Sequence, residues 1–217
     1  MGIDVGADRI HAVVLDETLA IIDVWVADPG DRIGVAARLA ALSPTSIAID
    51  GPDGPSAAPF RDELSLAPKW RTARGCEVEL GRRKGIWVSF ATPEGELGGW
   101  MGVAAAIFEA ARASHHVALE VYPHAVYRTL AGRRLAKKTT ARGIDERVAA
   151  LRSSGVRGPY LSMWSHDGLD AAAAALVAAH HRLGRAEPIR CDRDATTIWL
   201  PGCGEFPPRD DPVASVG

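Results

Sequence analysis

Five carboxylates stand at positions where an acidic side chain needs an explanation. Three of them, Asp4, Asp50 and Glu120, interrupt or end short apolar runs. Two more, Asp167 and Asp170, are three residues apart at the start of an alanine-rich segment, so a helix would place both on one face. Burying a carboxylate is costly unless it is paired or bound to a metal ion. A metal ion held by shared oxygen ligands is therefore one chemistry that this pattern predicts.

Each carboxylate also has a structural explanation when it is taken alone. The helix dipole favours an aspartate in the first turn of a helix, which would account for Asp167 or Asp170 without any function. Asp50 precedes a glycine and a proline and suits an ordinary turn. Glu120 suits an interior ion pair with one of the arginines. Asp4 is harder to explain in this way, because aspartate is unfavourable in the middle of a strand.

The elements that must position these residues are short apolar strands and amphipathic helices. Strands are predicted at 2–6, 10–15 and 19–26 as a meander, and then singly at 46–50, 117–121 and 196–200. Helices are predicted from Asp28 and Pro29 to about residue 43, and at 100–113, 123–130, 144–152 and 169–183. Helical crossovers onto an initial meander predict an α/β fold of three layers. Its sheet would be mixed, with antiparallel strands 1–3, further parallel strands and helices on both faces.

A region rich in proline and glycine, 51–95, follows the fourth predicted strand. We interpret it as a long insertion within a single domain at 1–201, because irregular segments of this length are usually functional or mobile. Residues 202–217, which include Pro207-Pro208 and Asp210-Asp211, are predicted to form a weakly ordered C-terminal tail.

The formal charge of −2 on 217 residues hides an uneven distribution. Residues 69–157 carry a net charge of +8, whereas 1–68 carry −7 and 158–217 carry −3. A basic middle between acidic flanks predicts an anion-binding surface beside gathered carboxylates. Charges scattered over solvated faces would give the same count, so the distribution alone leaves both interpretations open.

Several other classes of protein lack their sequence signatures here. No apolar run is long enough to cross a membrane, and neither a phosphate-binding G-x-x-x-x-G-K-[ST] loop nor a G-x-S-x-G elbow occurs. The cysteines Cys76, Cys191 and Cys203 are odd in number and far apart, which argues against a disulfide framework or a structural zinc site. With no signal segment before the first strand, a cytoplasmic protein is the expectation.

Five motifs, taken in order, resemble one known family. They are GIDVGADR at 2–9, AIDGP at 48–52, EVYPH at 120–124, the stretch 138–147 with Gly143 and Arg147, and HDGLDAAAAAL at 166–176. This set spans nearly the whole chain and resembles domain-of-unknown-function family 429, a predicted nuclease family with a ribonuclease H-like fold of the RuvC kind. The resemblance implies divalent-metal binding by Asp4, Asp50 and Asp170, with Asp167 as the paired helix acid. Glu120 matches the family's own motif.

The function implied by the resemblance is metal-dependent hydrolysis of phosphodiester bonds in nucleic acid. The metal ligands would be Asp4, Asp50, Asp167 and Asp170, which together with Glu120 form the predicted catalytic set. Oxygen ligands of this kind suit Mg²⁺ or Mn²⁺, and two such ions are expected. His166, beside Asp167, is a candidate for proton transfer. The basic middle would then line a phosphate path, for which the candidate substrate-binding residues are Arg74, Arg82, Arg83, Lys137, Lys138 and Arg147. Trp70 and Trp87 are candidates for stacking on bases or for packing within the fold.

Two other functions remain open at this stage. One is a ribonuclease H-like module that has lost hydrolysis and binds nucleic acid or a protein. The other is a nucleotide-binding protein, because IDVG at 3–6 also resembles the first phosphate-binding turn of sugar kinases and actin. That fold needs two such domains, and no internal repeat is visible. The sequence leaves DNA, RNA and other phosphoesters open as substrates, and it leaves a homodimer open beside a monomer.

Overall fold

A seven-stranded sheet forms the centre of the protein in the computed structural model, which describes residues 1–159 and 161–202. The strands are β1 (Gly2–Val5), β2 (Ile10–Leu15), β3 (Ile21–Ala27), β4 (Ser46–Asp50), β5 (Val117–Val121), β6 (Glu187–Arg190) and β7 (Thr197–Leu200). Their order across the sheet is β3-β2-β1-β4-β5-β7-β6. The pairs β1–β4, β4–β5 and β5–β7 are parallel, whereas β1–β2, β2–β3 and β6–β7 are antiparallel.

Helices cover both faces of this sheet. They are α1 (Arg32–Leu42), α2 (Gly75–Lys84), α3 (Gly99–Ala113), α4 (Pro123–Ala131), α5 (Ala141–Ser153) and α6 (His166–Arg182), with short 3-10 turns at Pro68–Trp70 and Leu161–Met163. On one face α3 packs on β1, β4 and β5 and against α1. On the other face α6 packs on β1, β2 and β4, and α4 and α5 pack against α6. The predicted three-layer α/β architecture, with a mixed sheet and helices on both faces, is confirmed.

The alternation of side chains along β1 and β4 separates apolar residues from acidic ones. Ile3 and Ile49 belong to the apolar cluster that β1 and β4 share with α1 and α3. Because successive residues of a strand project to opposite faces, Asp4 and Asp50 project toward the α6 side. Gly2, two residues before Asp4, lies against α6 and confirms which face this is.

The close approach of α6 to β1 depends on small residues on both elements. A Cβ atom added to Gly2 would lie 2.1 Å from the backbone nitrogen of Ala175 and 2.2 Å from the backbone oxygen of Ala171. The alanines of α6 likewise leave room for the sheet beneath them. This packing fixes α6 over β1, and it thereby fixes the position of the acidic N-terminal end of α6 relative to Asp4.

We expect Gly2→Ala to lower the free energy of unfolding by about 2–3 kcal/mol, because backbone atoms of α6 must move to admit the methyl group. Urea denaturation followed by circular dichroism measures the change. Gly54→Ala is the matched control, since no atom lies within 4 Å of the position its Cβ would take. Equal effects of the two substitutions would contradict this account of how α6 is placed.

The starts of α1 and α6 were predicted wrongly, each for a local reason, and two elements, α2 and β6, had no prediction. Helix α1 begins after Asp31, whose side chain accepts a hydrogen bond from the Gly34 amide at 2.9 Å, whereas Asp28 closes a turn with the Gly30 amide. Helix α6 begins three residues earlier than predicted, because Ser165 caps it. The region 51–95 is less irregular than its composition indicated, because it contains α2. No strand was predicted at the position of β6. Glycines at both ends and in the middle of α2 hide its helical pattern.

No helix within the described residues is long and apolar enough to cross a membrane. The predicted C-terminal tail lies outside the described residues apart from Gly202, and so does Cys203. The domain boundaries at 201 and 202 therefore stay a prediction.

Candidate functional site

Asp4 and Asp50 lie side by side at the carboxyl ends of β1 and β4. They are partners in the register of this parallel pair, and residues paired in this way project from the same face. Asp4 is buried, and the two carboxyl groups are close enough for each to affect the pKa of the other. Strands that run in parallel end at the same edge of the sheet, where the loops that follow them open a crevice. Strand register thus brings together two acids that are 46 positions apart in the sequence.

Helix α6 adds two more carboxylates at its N-terminal end. Asp170 is buried and Asp167 is half-buried. His166 stands next to them, with its Nδ1 atom 2.5 Å from Oδ1 of Asp167. One ligand atom from each of His166, Asp167 and Asp170 lies within 4.8 Å of the other two. We use the term carboxylate cluster for Asp4, Asp50, Asp167 and Asp170.

Lys138, in the loop between α4 and α5, contributes a positive charge to the cluster. Its Nζ atom donates a hydrogen bond to Oδ2 of Asp170 at 2.8 Å and lies 3.8 Å from Oδ1 of Asp167. A single ammonium group balances one of the four carboxylate charges. Its half-exposed side chain also reaches solvent, so Lys138 links the buried Asp170 to the surface of the site.

Burial raises the pKa values of Asp4, Asp50 and Asp170. Burial together with Asp170 and Asp167 raises the pKa of Asp4 to about 7. Burial, followed by the charge of Asp4, raises the pKa of Asp50 well above its usual range. Burial also raises the pKa of Asp170, although Lys138 acts in the opposite direction. Carboxylates that are costly to ionise when close together fit a hard divalent cation, because the cation supplies the missing positive charge to oxygen ligands.

Two cavities open on the carboxylate cluster. The first, of about 370 Å³, has mainly apolar walls that include Val88, Phe90 and Trp100, and we call it the apolar cavity. The second, of about 510 Å³, is lined by Arg134 and Lys137 among other residues, and we call it the basic cavity. Both cavities are lined by Asp50, Ser89, Tyr122 and Lys138. The cluster therefore lies where an apolar site and a basic site meet.

Glu120 lies on the opposite face of the sheet from Asp4 and Asp50. It is the register partner of Ile49, which belongs to the apolar cluster beneath α3. Both oxygens of Glu120 accept hydrogen bonds from the buried guanidinium of Arg74, one of them at 2.6 Å. The Glu120 carboxylate also accepts from the Asp53 amide at 3.0 Å. Glu120 therefore fixes the backbone that follows Asp50, and its role as a catalytic residue stays a prediction.

A second buried acid, Glu77, completes the group around Arg74. Arg74 donates to Glu77 through Nη2 at 3.1 Å and through its own amide at 3.1 Å. Thr92 donates to the same carboxylate through its amide at 3.1 Å and through its hydroxyl group. Glu77 lies in the first turn of α2, where the helix dipole favours a negative charge. We call Arg74, Glu77 and Glu120 the buried ion network.

Comparison with known protein families identifies the family to which the chain belongs. Residues 2–195 match the family described as "Protein of unknown function (DUF429)". The chain belongs to this family. The five motifs found in the sequence therefore mark a true family relationship. All four members of the carboxylate cluster of this DUF429 protein lie in these motifs: Asp4 in the first, Asp50 in the second, and Asp167 and Asp170 in the fifth.

Two solved structures are similar to the DUF429 chain. The first is the RuvC structure of Thermus thermophilus, at 19% identity and a TM-score of 0.46, over 84% of this chain and 95% of that one. The second is T. thermophilus RuvC in complex with a Holliday junction substrate, at 18% identity and a TM-score of 0.42, over 84% of this chain and 94% of that one. A search of curated proteins found no match.

The six predicted substrate-binding residues of the DUF429 protein fall into three groups. Lys137, Lys138 and Arg147 line the basic cavity. Arg147 is itself buried, and its Nη1 atom donates to the carbonyl oxygens of residues 136 and 143, at 3.1 and 2.8 Å. Arg74 belongs to the buried ion network. Arg82 and Arg83 line neither cavity and pair with acidic residues on the surface, so the structure does not bring them to the cluster.

The aromatic residues beside the site differ from those proposed from the sequence. Trp70 and Trp87 pack on each other, with ring centroids 5.0 Å apart, and neither lines the apolar cavity. Phe90 and Trp100 line it instead, and sequence reasoning missed both. Phe90 stands in an irregular segment with no periodicity to indicate its surroundings. Its neighbours Trp87, Val88 and Ala91 are also apolar, so the sequence does not distinguish Phe90 from a buried residue, whereas its 69% exposure does.

Proposed function

We propose that the protein is a metal-dependent nuclease that hydrolyses phosphodiester bonds at the carboxylate cluster. The observation that carries this proposal is the convergence of Asp4, Asp50, Asp167 and Asp170, three of them with raised pKa values, at the mouth of two cavities. A fold has no structural need to gather four acids in this way, because buried like charges lower stability. A site that binds cations does need them.

The residues that would hold Mg²⁺ or Mn²⁺ are the four members of the carboxylate cluster. When bound, such ions lower the pKa of a water molecule and stabilise charge on the leaving oxygen of a phosphodiester. The chain's own contribution is to hold these oxygen ligands in place. Strand register fixes Asp4 and Asp50, and the packing of α6 on Gly2 fixes Asp170 and Asp167.

The basic cavity supplies the surface that would bind the substrate's phosphates. Lys137 is exposed there, and Lys138 reaches both cavities. A phosphate that contacts the Lys138 ammonium would lie next to the cluster, because the same ammonium bonds Asp170. Arg147 acts indirectly, since its guanidinium holds the loop that carries both lysines. This division gives the lysines a binding role and Arg147 a positioning role.

Glu120 and Arg74 are proposed as positioning residues for Asp50. The Glu120 carboxylate accepts the amide hydrogen of Asp53, three residues after Asp50, and Arg74 holds Glu120 in the orientation that permits this bond. A fixed loop after β4 keeps the mouth of the crevice open beside the cluster. The predicted catalytic importance of Glu120 would then reflect this support rather than contact with the reacting atoms.

Crystals soaked in Mn²⁺ test the metal centre directly. We expect anomalous difference peaks within coordination distance of Asp4, Asp50 and Asp170, and Mn²⁺-dependent cleavage of at least one member of a panel of DNA and RNA substrates. A cluster that remains without anomalous density at saturating Mn²⁺ would contradict the proposal. Mn²⁺ binding without turnover on any nucleic acid would instead favour a ribonuclease H-like module that binds without cutting.

A further inference from the structure

The apolar cavity beside the carboxylate cluster has the features of a site for a flat, mostly apolar group. Phe90, Val88 and Trp100 form part of its wall, and Asp4 and Asp50 stand at its edge. We propose that this cavity takes one unstacked nucleobase of the substrate, so that the substrate class is single-stranded or locally unpaired nucleic acid. This inference rests on the proposed nuclease function and specifies its substrate.

The backbone after β4 is shaped so that an aromatic wall can stand close to the cluster. Gly51 has a φ of +150°, a conformation that favours glycine. A Cβ atom at Gly51 would lie 2.5 Å from the Cβ of Ala104 and 3.5 Å from the ring of Trp100. Glycine therefore allows α3, with Trp100 in its first turn, to pack directly against the residue that follows Asp50.

Phe90 is the exposed part of the cavity wall. Its side chain is 69% exposed, and it lines the open cavity of about 370 Å³. The segment that carries it is attached to the site by a 3.2 Å hydrogen bond between the hydroxyl groups of Ser89 and Tyr122. An exposed phenylalanine held at the mouth of a site is suited to stack on a base, whatever that base is.

Polar groups in the wall would meet the edge of a base. Arg74 and Thr92 both line the cavity, and both are almost fully buried. Arg74 and Thr92 both bond the buried Glu77 carboxylate, which fixes this polar part of the wall. Nucleobases carry hydrogen-bond donors and acceptors on their edges, which a polar wall of this kind can meet.

The size and connections of the two cavities favour a single strand over a duplex. About 370 Å³ is at the small end of the range for small-molecule sites, which run from about 300 to 1,000 Å³. The apolar and basic cavities meet at Asp50 and Lys138, so a base in one would place its flanking phosphates toward the other. In a duplex the base would first have to be unpaired and unstacked, and flipping a base out of a duplex costs a few kcal/mol. A single strand avoids this cost.

Binding of fluorescein-labelled oligonucleotides tests the inference apart from catalysis. The same strand, in DNA and RNA versions, is titrated alone and as a blunt duplex, with Ca²⁺ in place of Mg²⁺ and anisotropy as the readout. We expect the single strand to bind more tightly. Phe90→Ala should weaken single-strand binding about tenfold, because one base loses its stacking partner, whereas Phe90→Trp should retain it. Leu64→Ala is the control, since Leu64 is 77% exposed and does not line the cavity.

A second pair of variants fills the cavity instead of removing its wall. Ala7 is exposed and lines the cavity, so Ala7→Phe should obstruct it without entering the core. Ala113→Phe adds the same side chain at an exposed position that does not line the cavity. We expect Ala7→Phe to weaken single-strand binding and Ala113→Phe to leave it unchanged. Thermal melting of each variant checks that the fold is intact.

The outcomes separate this inference from the function on which it rests. Duplex binding as tight as single-strand binding, or equal effects of Phe90→Ala and Leu64→Ala, would overturn the nucleobase site while leaving a nuclease intact. Absence of any binding to either form, together with no cleavage, would overturn both. Weaker single-strand binding in Phe90→Ala and Ala7→Phe, with unchanged controls, is the result that supports the inference.

Discussion

Asp4→Asn is expected to abolish Mn²⁺-dependent cleavage and, at the same time, to stabilise the metal-free protein at pH 8. The loss of activity should exceed about 100-fold, because an amide oxygen replaces a charged ligand at a site built from four carboxylates. The gain in stability follows from the same charge. Burial beside Asp170 and Asp167 raises the pKa of Asp4 to about 7, so its ionised form destabilises the folded state.

The dependence on pH has a definite sign. Below about pH 4, Asp4 is protonated in both the folded and the unfolded chain, and it contributes nothing to the difference between them. Between about pH 4 and 7 the unfolded chain releases this proton and the folded chain retains it, so stability falls as the pH rises. Above about pH 7 the loss is complete and amounts to about 4 kcal/mol for a shift of this size. We therefore expect Asp4→Asn to raise the unfolding free energy by about 2–4 kcal/mol at pH 8 and to have little effect near pH 4.

Chemical denaturation at a series of pH values, with EDTA and then with Mn²⁺, measures both effects. Mn²⁺ should stabilise the wild-type protein and leave Asp4→Asn almost unchanged, because binding to the folded state alone raises stability. Asp8→Asn is the control, since Asp8 is exposed in the neighbouring turn and lines neither cavity. Full cleavage by Asp4→Asn would contradict the proposed metal centre. A stability profile with the opposite slope would contradict the electrostatic account of the cluster.

Much of the carboxylate cluster could be predicted from the sequence, because it depends on local patterns. An aspartate inside an apolar run is visible without a structure, and so is an aspartate at the end of one. Parallel strands end at one edge of a sheet, so Asp4 and Asp50 follow from the order of the elements. The two aspartates of α6 share a face by helical spacing alone. The fold class could be predicted for the same reason, since short periodic segments of the sequence indicate both the meander and the helical crossovers.

The position of Glu120 shows where sequence reasoning fails. Glu120 and Asp50 look alike in the sequence, each standing near the end of a buried strand. Which face a strand residue occupies depends on register, and a slip of one residue moves every side chain to the other face. The observed register pairs Asp50 with Val121 and Ile49 with Glu120, which places the two acids on opposite faces. An interior ion pair with an arginine was one interpretation of Glu120, and its bond to Arg74 confirms that pairing.

Residues that act through long-range contacts were beyond prediction. Phe90 lines the apolar cavity because the 51–95 region folds back on the end of the sheet, and Trp100 lines it because α3 packs beside Gly51. No local pattern specifies either approach. Arg74 was predicted as a phosphate ligand, whereas it is bound to two buried acids. A basic residue in a proline-rich segment looks solvent-exposed. Its burial is decided by partners 3 and 46 residues away in the sequence.

Arg74→Met is expected to lower the free energy of unfolding by about 3–5 kcal/mol, the range for removing one partner of a buried ion pair. Arg74 is 2% exposed, and its loss leaves the Glu120 carboxylate buried without a counter-charge. The charge of Glu77 is destabilised less, because Thr92, the residue 74 amide and the first turn of α2 still stabilise it. Cleavage should fall as well, since the Asp53 amide loses an oriented acceptor and the loop after Asp50 is released. Urea denaturation and cleavage assays on the same preparation measure the two losses.

The double variant Arg74→Met with Glu120→Gln separates the buried charge from lost packing. If the uncompensated Glu120 charge causes the instability, neutralising it should restore most of the lost free energy, so the two substitutions will not be additive. Arg74→Lys should rescue little, because an ammonium group cannot donate to both oxygens of Glu120 in the way that the planar guanidinium does. Arg61→Met is the control, because Arg61 forms an exposed ion pair with Glu94 and such pairs contribute about 1 kcal/mol or less. Additive effects of Arg74→Met and Glu120→Gln would show that Arg74 stabilises the fold through packing alone, and the proposed control of the Asp50 loop by the buried ion network would then be wrong.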